Sequence, residues 1–314
     1  MSKTSSKNKG LMNMSIPKYN IENYEDLFVI EGSAYDDSLE ERMEKLRDKQ
    51  VSKYRVKTIK SGEMLECEIY PITPGASGGK RSKKEKEIRL AQSNLNDKNA
   101  KKHLIRIVNT NFTKKDIWIT LTYQDARLPA DLQQAKKDMQ NYIRRLKRHI
   151  KKHNLPELKY VYVTEYQDAE GKKKKRVHHH MIMNFADRDV AEELWNGGGR
   201  TQTRRLQPDD FGLEGLTRYI TKEKSGSNQK RYTASRNLKQ PKVTIADSKV
   251  TRRRAEKIAT EENMAHELFE KLYAGYKFND MEVKYSPYVA GAYIYVRMKQ
   301  IEPKKERRRK RQDE

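Results

Sequence analysis

A chain of 314 residues is long enough to bury one large core or two small ones. Its single cysteine, Cys67, excludes an intrachain disulfide and a thiolate metal cluster, and no run of about 18 apolar residues or positive-then-apolar leader marks a membrane span or a secretory signal. These features predict a cytoplasmic protein with no membrane partner, and the formal net charge of +24 calls for a polyanion, of which nucleic acid is the commonest.

The charge is uneven. Residues 1–50 carry eight Lys/Arg against ten Asp/Glu, so the positive excess lies beyond them. They read as a polar and acidic N-terminal extension, unstructured to about Asn20, with a short helix from Asp37 to Gln50. Val51 to Tyr70 alternates apolar and polar residues on either side of Ser61-Gly62, the pattern of a β-hairpin, and residues 51–80 are expected to form an accessory hairpin and linker. At the end of that linker Gly79-Lys80 lacks the phosphate-loop pattern, because Pro74 stands where its first glycine belongs and Arg81 where Ser or Thr belongs. No ATP-driven motor is indicated.

Residues 81–108 are basic and helical in pattern, with Ile88, Leu90, Leu95, Leu104, Ile105 and Ile107 as apolar positions. Ile117-Trp118-Ile119-Thr120-Leu121-Thr122-Tyr123 is β-branched and aromatic throughout, a central strand. A helix follows from Asp131 to Lys152, its stripe of Leu132, Ala135, Met139, Tyr142, Ile143, Leu146 and Ile150 backed by a basic face, and Pro156 ends it. The strand Tyr160 to Tyr166 comes next, and a polar turn, Gln167 to Lys175, returns the chain antiparallel.

The returning strand, Arg176 to Phe185, contains His178-His179-His180. Successive strand residues point to opposite faces, so His178 and His180 emerge together, ~6.6 Å apart at Cα, while His179 points away. Val161, Val163 and Glu165 share one face of the preceding strand, which can place Glu165 beside both imidazoles. A half-buried carboxylate there needs a partner, either a lysine of the turn or a cation. As a third ligand Glu165 completes a nitrogen and oxygen set suited to Mn²⁺ or Mg²⁺.

Beyond Phe185 a helix is expected from Asp187 to Trp195, ended by Gly197-Gly198-Gly199, then an edge strand from Arg200 to Leu206. A further helix starting near Asp209 or Asp210 carries Leu213, Leu216, Tyr219 and Ile220, and Tyr219 and Lys222 share one of its sides. Tyrosine titrates near a pKa of about 10, so it attacks at neutral pH only with help from a cation or a polarised electrophile, which Lys222 can supply. Taken alone, Tyr219 is equally well a packed aromatic. Ser248 to Tyr276 reads as one long helix, and Val283 to Met298 as a strand pair around Ala290-Gly291 that can extend the sheet. Lys304 to Arg311, with seven basic residues in eight, reads as a nonspecific DNA-binding tail.

In their order, the Ile117–Tyr123 strand, the His178-His179-His180 strand and Tyr219-Ile220-Thr221-Lys222 resemble the three motifs of the HUH endonucleases. The likeness is to the rolling-circle replication initiators of bacterial plasmids, phages and integrative elements. It covers about residues 81–245, including Ser235-Arg236-Asn237-Leu238-Lys239. The resemblance implies an α+β fold: a central antiparallel sheet of four to five strands, ferredoxin- or RRM-like, with flanking helices and N- and C-terminal extensions. Residues 81–245 would form that domain, 246–302 a C-terminal helix and strand pair, and 303–314 a basic tail.

The resemblance further implies metal-dependent, site-specific nicking and joining of single-stranded DNA through a 5′-phosphotyrosine. His178 and His180 fit its metal ligands, with His179 where a bulky hydrophobe is usual. Tyr219 fits its nucleophile and is the only one, since Glu223 stands where some relatives carry a second tyrosine. The substrate would be a single-stranded or hairpin origin, and a host helicase with its replication machinery would be partners. Arg176, Tyr123, Arg231, Tyr232 and Arg236 are candidate DNA contacts. A plasmid-mobilising relaxase, a single-tyrosine transposase and a non-catalytic origin-binding repressor remain alternatives.

Overall fold

The computed structural model describes residue 51 and residues 53–72, 90–165, 176–222, 231–285 and 290–301. The N-terminal extension, the linker beyond Ile72, the start of the 81–108 helix, the turn before Arg176, Glu223 and the basic tail lie outside the described residues. Among the described residues are two antiparallel five-stranded sheets and six helices, which bears out the α+β class and adds a sheet that sequence reading did not anticipate. No helix among them is long and apolar enough to cross a membrane.

The first sheet holds β3 (Ile117–Tyr123), β4 (Tyr160–Glu165), β5 (His178–Met183), β6 (Gly198–Arg205) and β7 (Thr233–Ala234), in the order β6-β3-β5-β4-β7. Alternation buries Ile117, Ile119, Leu121 and Tyr123 of β3 on one face. There they meet Met181 and Met183 of β5 and the apolar stripe of α2 (Leu132–Lys152), namely Ala135, Met139, Tyr142, Ile143, Leu146 and Ile150. Asp131 caps this helix, accepting from the Gln134 N–H at 2.7 Å. It ends as the sequence predicts: Asn154 turns left-handed (φ 54°), the Leu155 N–H donates to Ile150 O at 3.0 Å, and Pro156 follows. The short α3 (Arg188–Glu193), capped by Asp187, packs beside it.

On the opposite face Val161, Val163 and Ile182 pack beneath Leu104, Val108 and Phe112, of which the first two belong to α1 (Leu90–Asn111), and beneath Ile220 of α4 (Glu214–Ile220). This apolar cover stops short of the strand ends that carry Glu165, His178 and His180.

The second sheet has the order β8-β1-β2-β10-β9, built from β1 (Lys53–Ser61), β2 (Met64–Ile72), β8 (Lys242–Ala246), β9 (Tyr276–Tyr285) and β10 (Ala292–Gln300). The C-terminal strand pair therefore does not extend the first sheet, because β10 pairs with β2 of the N-terminal hairpin. The physical reason is burial: β2 and β10 are apolar or enclosed over most of their length and need cover on both faces. One face lies under α5 (Arg252–Thr260) and α6 (Glu262–Leu272), through Ala255, Ile258, Ala265 and Phe269. These two helices replace the single long one expected, since Glu261 leaves the helical region at φ −122° and ψ 85°.

The other face receives α1, which is wedged between the sheets. Gly62 makes this approach possible: it turns the hairpin at φ 61°, and a Cβ there would lie 2.1 Å from Asn109 O. The contact itself is ionic. Arg106 donates to Glu66 Oε2 at 2.6 Å and Glu68 Oε1 at 2.7 Å, Lys57 reaches Glu68 at 2.9 Å, and the Tyr295 hydroxyl donates to Glu66 at 2.6 Å. Burial works to raise the Glu68 pKa, but Lys102, Arg106 and Lys57 outweigh it and hold the carboxyl below its ordinary value.

Arg106→Met leaves two enclosed carboxylates without their guanidinium, so chemical denaturation at neutral pH is expected to show a loss of about 3 kcal/mol. A lowered folded pKa stabilises above the unfolded value and is lost as pH falls through the folded one. The gap between variant and parent is therefore expected to narrow below about pH 4.

Candidate active site

The triple histidine sits in β5, the middle strand of the first sheet, where alternation turns His178 and His180 to the half-open face. β4 runs antiparallel in a register that sets Glu165 opposite His178 and Val163 opposite His180, and β3 sets Thr120 opposite His180 from the other side. The Glu165 carboxylate bridges the imidazoles, Oε2 lying 3.1 Å from His178 Nε2 and Oε1 3.4 Å from His180 Nε2. One ligand atom from each residue lies within 4.8 Å of the others. Burial works to raise the Glu165 pKa, but hydrogen bonds from the two imidazoles hold it well below the usual carboxylate range.

The outer ring nitrogens are also held. His178 Nδ1 lies 2.9 Å from Arg176 O, and because a carbonyl can only accept, Nδ1 carries the proton and Nε2 faces the centre. His180 Nδ1 lies 3.1 Å from Thr120 Oγ1. Imidazoles oriented by outer partners, with a carboxylate between their inner nitrogens, make a donor set that can hold a divalent cation. The atoms now joined through imidazole protons are those the cation would take.

Tyr219 stands over this group. It is 56% exposed on α4, while its neighbours Thr217 and Ile220 are buried and anchor the helix. Its ring centroid is 5.6 Å from that of His180 and 6.2 Å from that of Trp118, which meets it edge-on. Lys222 is exposed just past the helix, its backbone N–H donating to Tyr219 O at 3.2 Å. The structure thus brings Glu165, His178, His180 and Tyr219 together, with Lys222 close in the chain.

Other expected contacts fall elsewhere. Arg176 is at the rim beside His178, 57% exposed, paired with Asp125 at 2.8 Å and donating to Tyr123 O at 2.7 Å. Tyr123 does not offer its ring to a base, because odd positions of β3 face α2. It is 3% exposed, wedged against His179 and Trp195. Arg231 is not a surface cation either: its side chain is 6% exposed, paired with Asp97 of α1 at 2.7 Å and donating to Thr221 O at 2.9 Å. Tyr232 packs half-buried against the core under α1, and Arg236 is exposed in the turn after β7.

His179, in the place of a hydrophobe, is fully buried, and burial followed by the charges of His178 and His180 pushes its pKa down to about 3. The neutral ring is satisfied on both nitrogens, by the Tyr123 hydroxyl at 2.7 Å and Thr164 Oγ1 at 2.9 Å. Sequence reasoning missed Trp118 and Thr120 as site residues. It also missed Arg200, Gln202 and Arg204 of β6, exposed alternate positions whose pairing with β3 sets Gln202 opposite Thr120 and Arg204 opposite Trp118, on the face of His180. The alternation Arg200-Thr201-Gln202-Thr203-Arg204 was the available signal.

Residues 116–225 match a family model of replication-associated proteins, the ORF2 type. The matched span runs from the strand of Trp118 and Thr120 to just past Lys222, and so contains the whole Glu165, His178, His180 and Tyr219 cluster. A search of curated proteins and one of solved structures found no match. The family match supports replication initiation as the general role of the chain.

Thr120→Val removes the outer partner of His180 without touching a ligand atom. Titration calorimetry with Mn²⁺ is expected to show affinity reduced by about 10- to 100-fold. Unchanged affinity would mean that Thr120 does not orient the imidazole.

Proposed function

We propose that this protein nicks and rejoins one DNA strand at a replication origin, starting rolling-circle synthesis, with Tyr219 as nucleophile and Glu165, His178 and His180 holding Mn²⁺ or Mg²⁺. The observation that carries this reading is the position of Tyr219, exposed and 5.6 Å ring to ring from His180 at the open end of the sheet. Bound to the three ligands, the cation would act as a Lewis acid on the scissile phosphodiester. The Tyr219 hydroxyl loses its proton and its oxygen attacks phosphorus in line. The bond to the 3′-oxygen breaks, and that oxygen takes up a proton to become the 3′-hydroxyl that primes synthesis. The phosphotyrosyl bond retains the free energy of the broken linkage, so the reverse attack rejoins strands without ATP.

The chain's own side chains arrange this step. Trp118 meets the Tyr219 ring edge-on and limits its rotation. Lys222 places positive charge where the phosphate gathers negative charge. Arg176, Arg200, Arg204 and Arg236, all exposed, are available to the DNA backbone, which makes binding strongly salt-dependent. Tyr123 and Arg231 are committed inside the protein and take no part. An unpaired strand reaches the half-covered centre, so a melted or hairpin origin is the fitting substrate and a host helicase supplies unwinding. The family match, to a replication-associated protein, favours replication over mobilisation or transposition.

Purified protein incubated with Mn²⁺ and an end-labelled single-stranded origin oligonucleotide is expected to yield a covalent adduct on a denaturing gel. The adduct should require metal and vanish in Tyr219→Phe, while that variant still binds the oligonucleotide. An adduct that survives in Tyr219→Phe would name the wrong nucleophile. Binding without cleavage across several metals and origins would leave a DNA-binding protein only.

A further inference from the structure

The helix that carries Tyr219 is held at both ends by side chains from outside it. At seven residues α4 has fewer than two turns and little stability of its own. Leu213 occupies its N-cap without a capping side chain, and the Leu213 N–H is taken instead by Asn109 Oδ1 of α1 at 2.8 Å. Ahead of it the chain closes on itself, Asp209 N–H to Gly212 O at 2.9 Å and Gly212 N–H to Asp209 O at 3.0 Å. Gly212, at φ 69°, has no room for a Cβ, which would lie 2.7 Å from Asn109 Oδ1. At the far end Arg231 joins Thr221 O to Asp97.

The second sheet holds the N-terminal end. Lys299 of β10 donates to Asp209 O at 2.8 Å, and Asn279 of β9 donates to Asp210 O. Between them Arg297 of β10 pairs with Asp280 through two nitrogens and donates from Nη1 to Oε2 of Glu214, the first residue of α4, at 2.9 Å. Its guanidinium lies 4.4 Å over the Phe211 ring. Glu214 is fully engaged, its other oxygen accepting from Arg218 at 2.6 Å, and its side chain is 15% exposed. A planar fork used on several edges and stacked on an aromatic ring fixes orientation more firmly than a lone surface ion pair.

We propose that Arg297 is a positioning residue for Tyr219, so that the second sheet, through Glu214, sets the rotation of α4 over the metal group. This rests on the reading of Tyr219 as nucleophile. Glu214 and Tyr219 are five residues apart, ~7.5 Å along the axis and on different sides of the helix. The anchor faces the second sheet while the tyrosine faces the first. A rotation of about 20° at the anchor moves a side-chain tip ~5 Å from the axis by roughly 2 Å, and a misplacement of about 1 Å at a reacting group can cost about 10²-fold in rate. The C-terminal strand pair, remote from Tyr219 in the sequence, thereby becomes part of the apparatus that aims it.

The test uses the full chain with Mn²⁺. In Arg297→Met the single-turnover rate of adduct formation at saturating oligonucleotide is expected to fall about 10- to 100-fold, with oligonucleotide and Mn²⁺ affinities unchanged. Arg297→Lys, which keeps a cation for Glu214, should recover part of that rate. Amide hydrogen exchange across α4 should quicken in Arg297→Met while that of α2 stays as in the parent. An unchanged rate, or a loss of rate that follows loss of DNA or metal binding, overturns the proposal. Should Arg297→Met fail to fold, Glu214→Gln must reproduce the split between rate and affinity, and its failure to do so is equally decisive. A parent protein that forms no adduct with any metal sinks the nicking reading, and the exchange data then decide alone: faster α4 exchange upholds the anchoring by Arg297, unchanged exchange overturns it.

Discussion

If β4 slipped by one residue against β5, Glu165 would turn beneath α2 and the carboxylate bridging His178 and His180 would be gone. The centre depends on this register, and packing specifies it on both sides. Met181 and Met183 are sealed under α2, Val161, Val163 and Ile182 under α1 and α4, so a slipped strand would expose one set and bury polar groups in its place. Even His179 takes part, because its two hydrogen bonds tie β5 to Tyr123 of β3 and Thr164 of β4. A hydrophobe at that position would fill the space without crossing to either neighbour.

The wedge of α1 gives the molecule its second organising contact. Its apolar side completes the core of the first sheet, and its polar side meets β2 through Arg106, Glu66 and Glu68. One helix therefore belongs to both layers, and Asn109, near its end, reaches the turn that opens α4. The site is assembled on the first sheet but seated through the second.

An excess of basic residues does not mean that each is available to a polyanion. Arg106, Arg231 and Arg297 are drawn into carboxylate partners inside or between layers, where they set the distances between elements. The exposed stripe of α2, with Lys136, Lys137, Arg144, Lys147, Arg148, Lys151 and Lys152, and the alternating edge of β6 carry the charge that meets solvent. Burial, decided by the fold, sorts one chemical type into two tasks.

Local pattern by itself determined a good deal here. Period two in the triple histidine put two imidazoles on one face, the 3.6 period gave α2 with its Asp131 cap and its Asn154 and Pro156 stop, and β-branched runs marked β3 and β4. The α+β class and the grouping of Glu165 with His178 and His180 follow from those periods, since each depends on neighbours in the chain or on one hairpin. Which face of β3 looks toward the metal group was not legible, and Tyr123 was therefore placed on the wrong side and Thr120 overlooked. Nor could pattern separate Arg231 from a surface cation, because its burial depends on Asp97, remote from it in the chain. Only the tertiary structure decided that the N-terminal hairpin and the C-terminal strands share a sheet, and that this sheet meets the helix of Tyr219. Pairing between strands more than 200 residues apart leaves no periodic trace in either, since any two half-buried strands carry the same alternation and what selects the partner is the cover available on both faces of the pair.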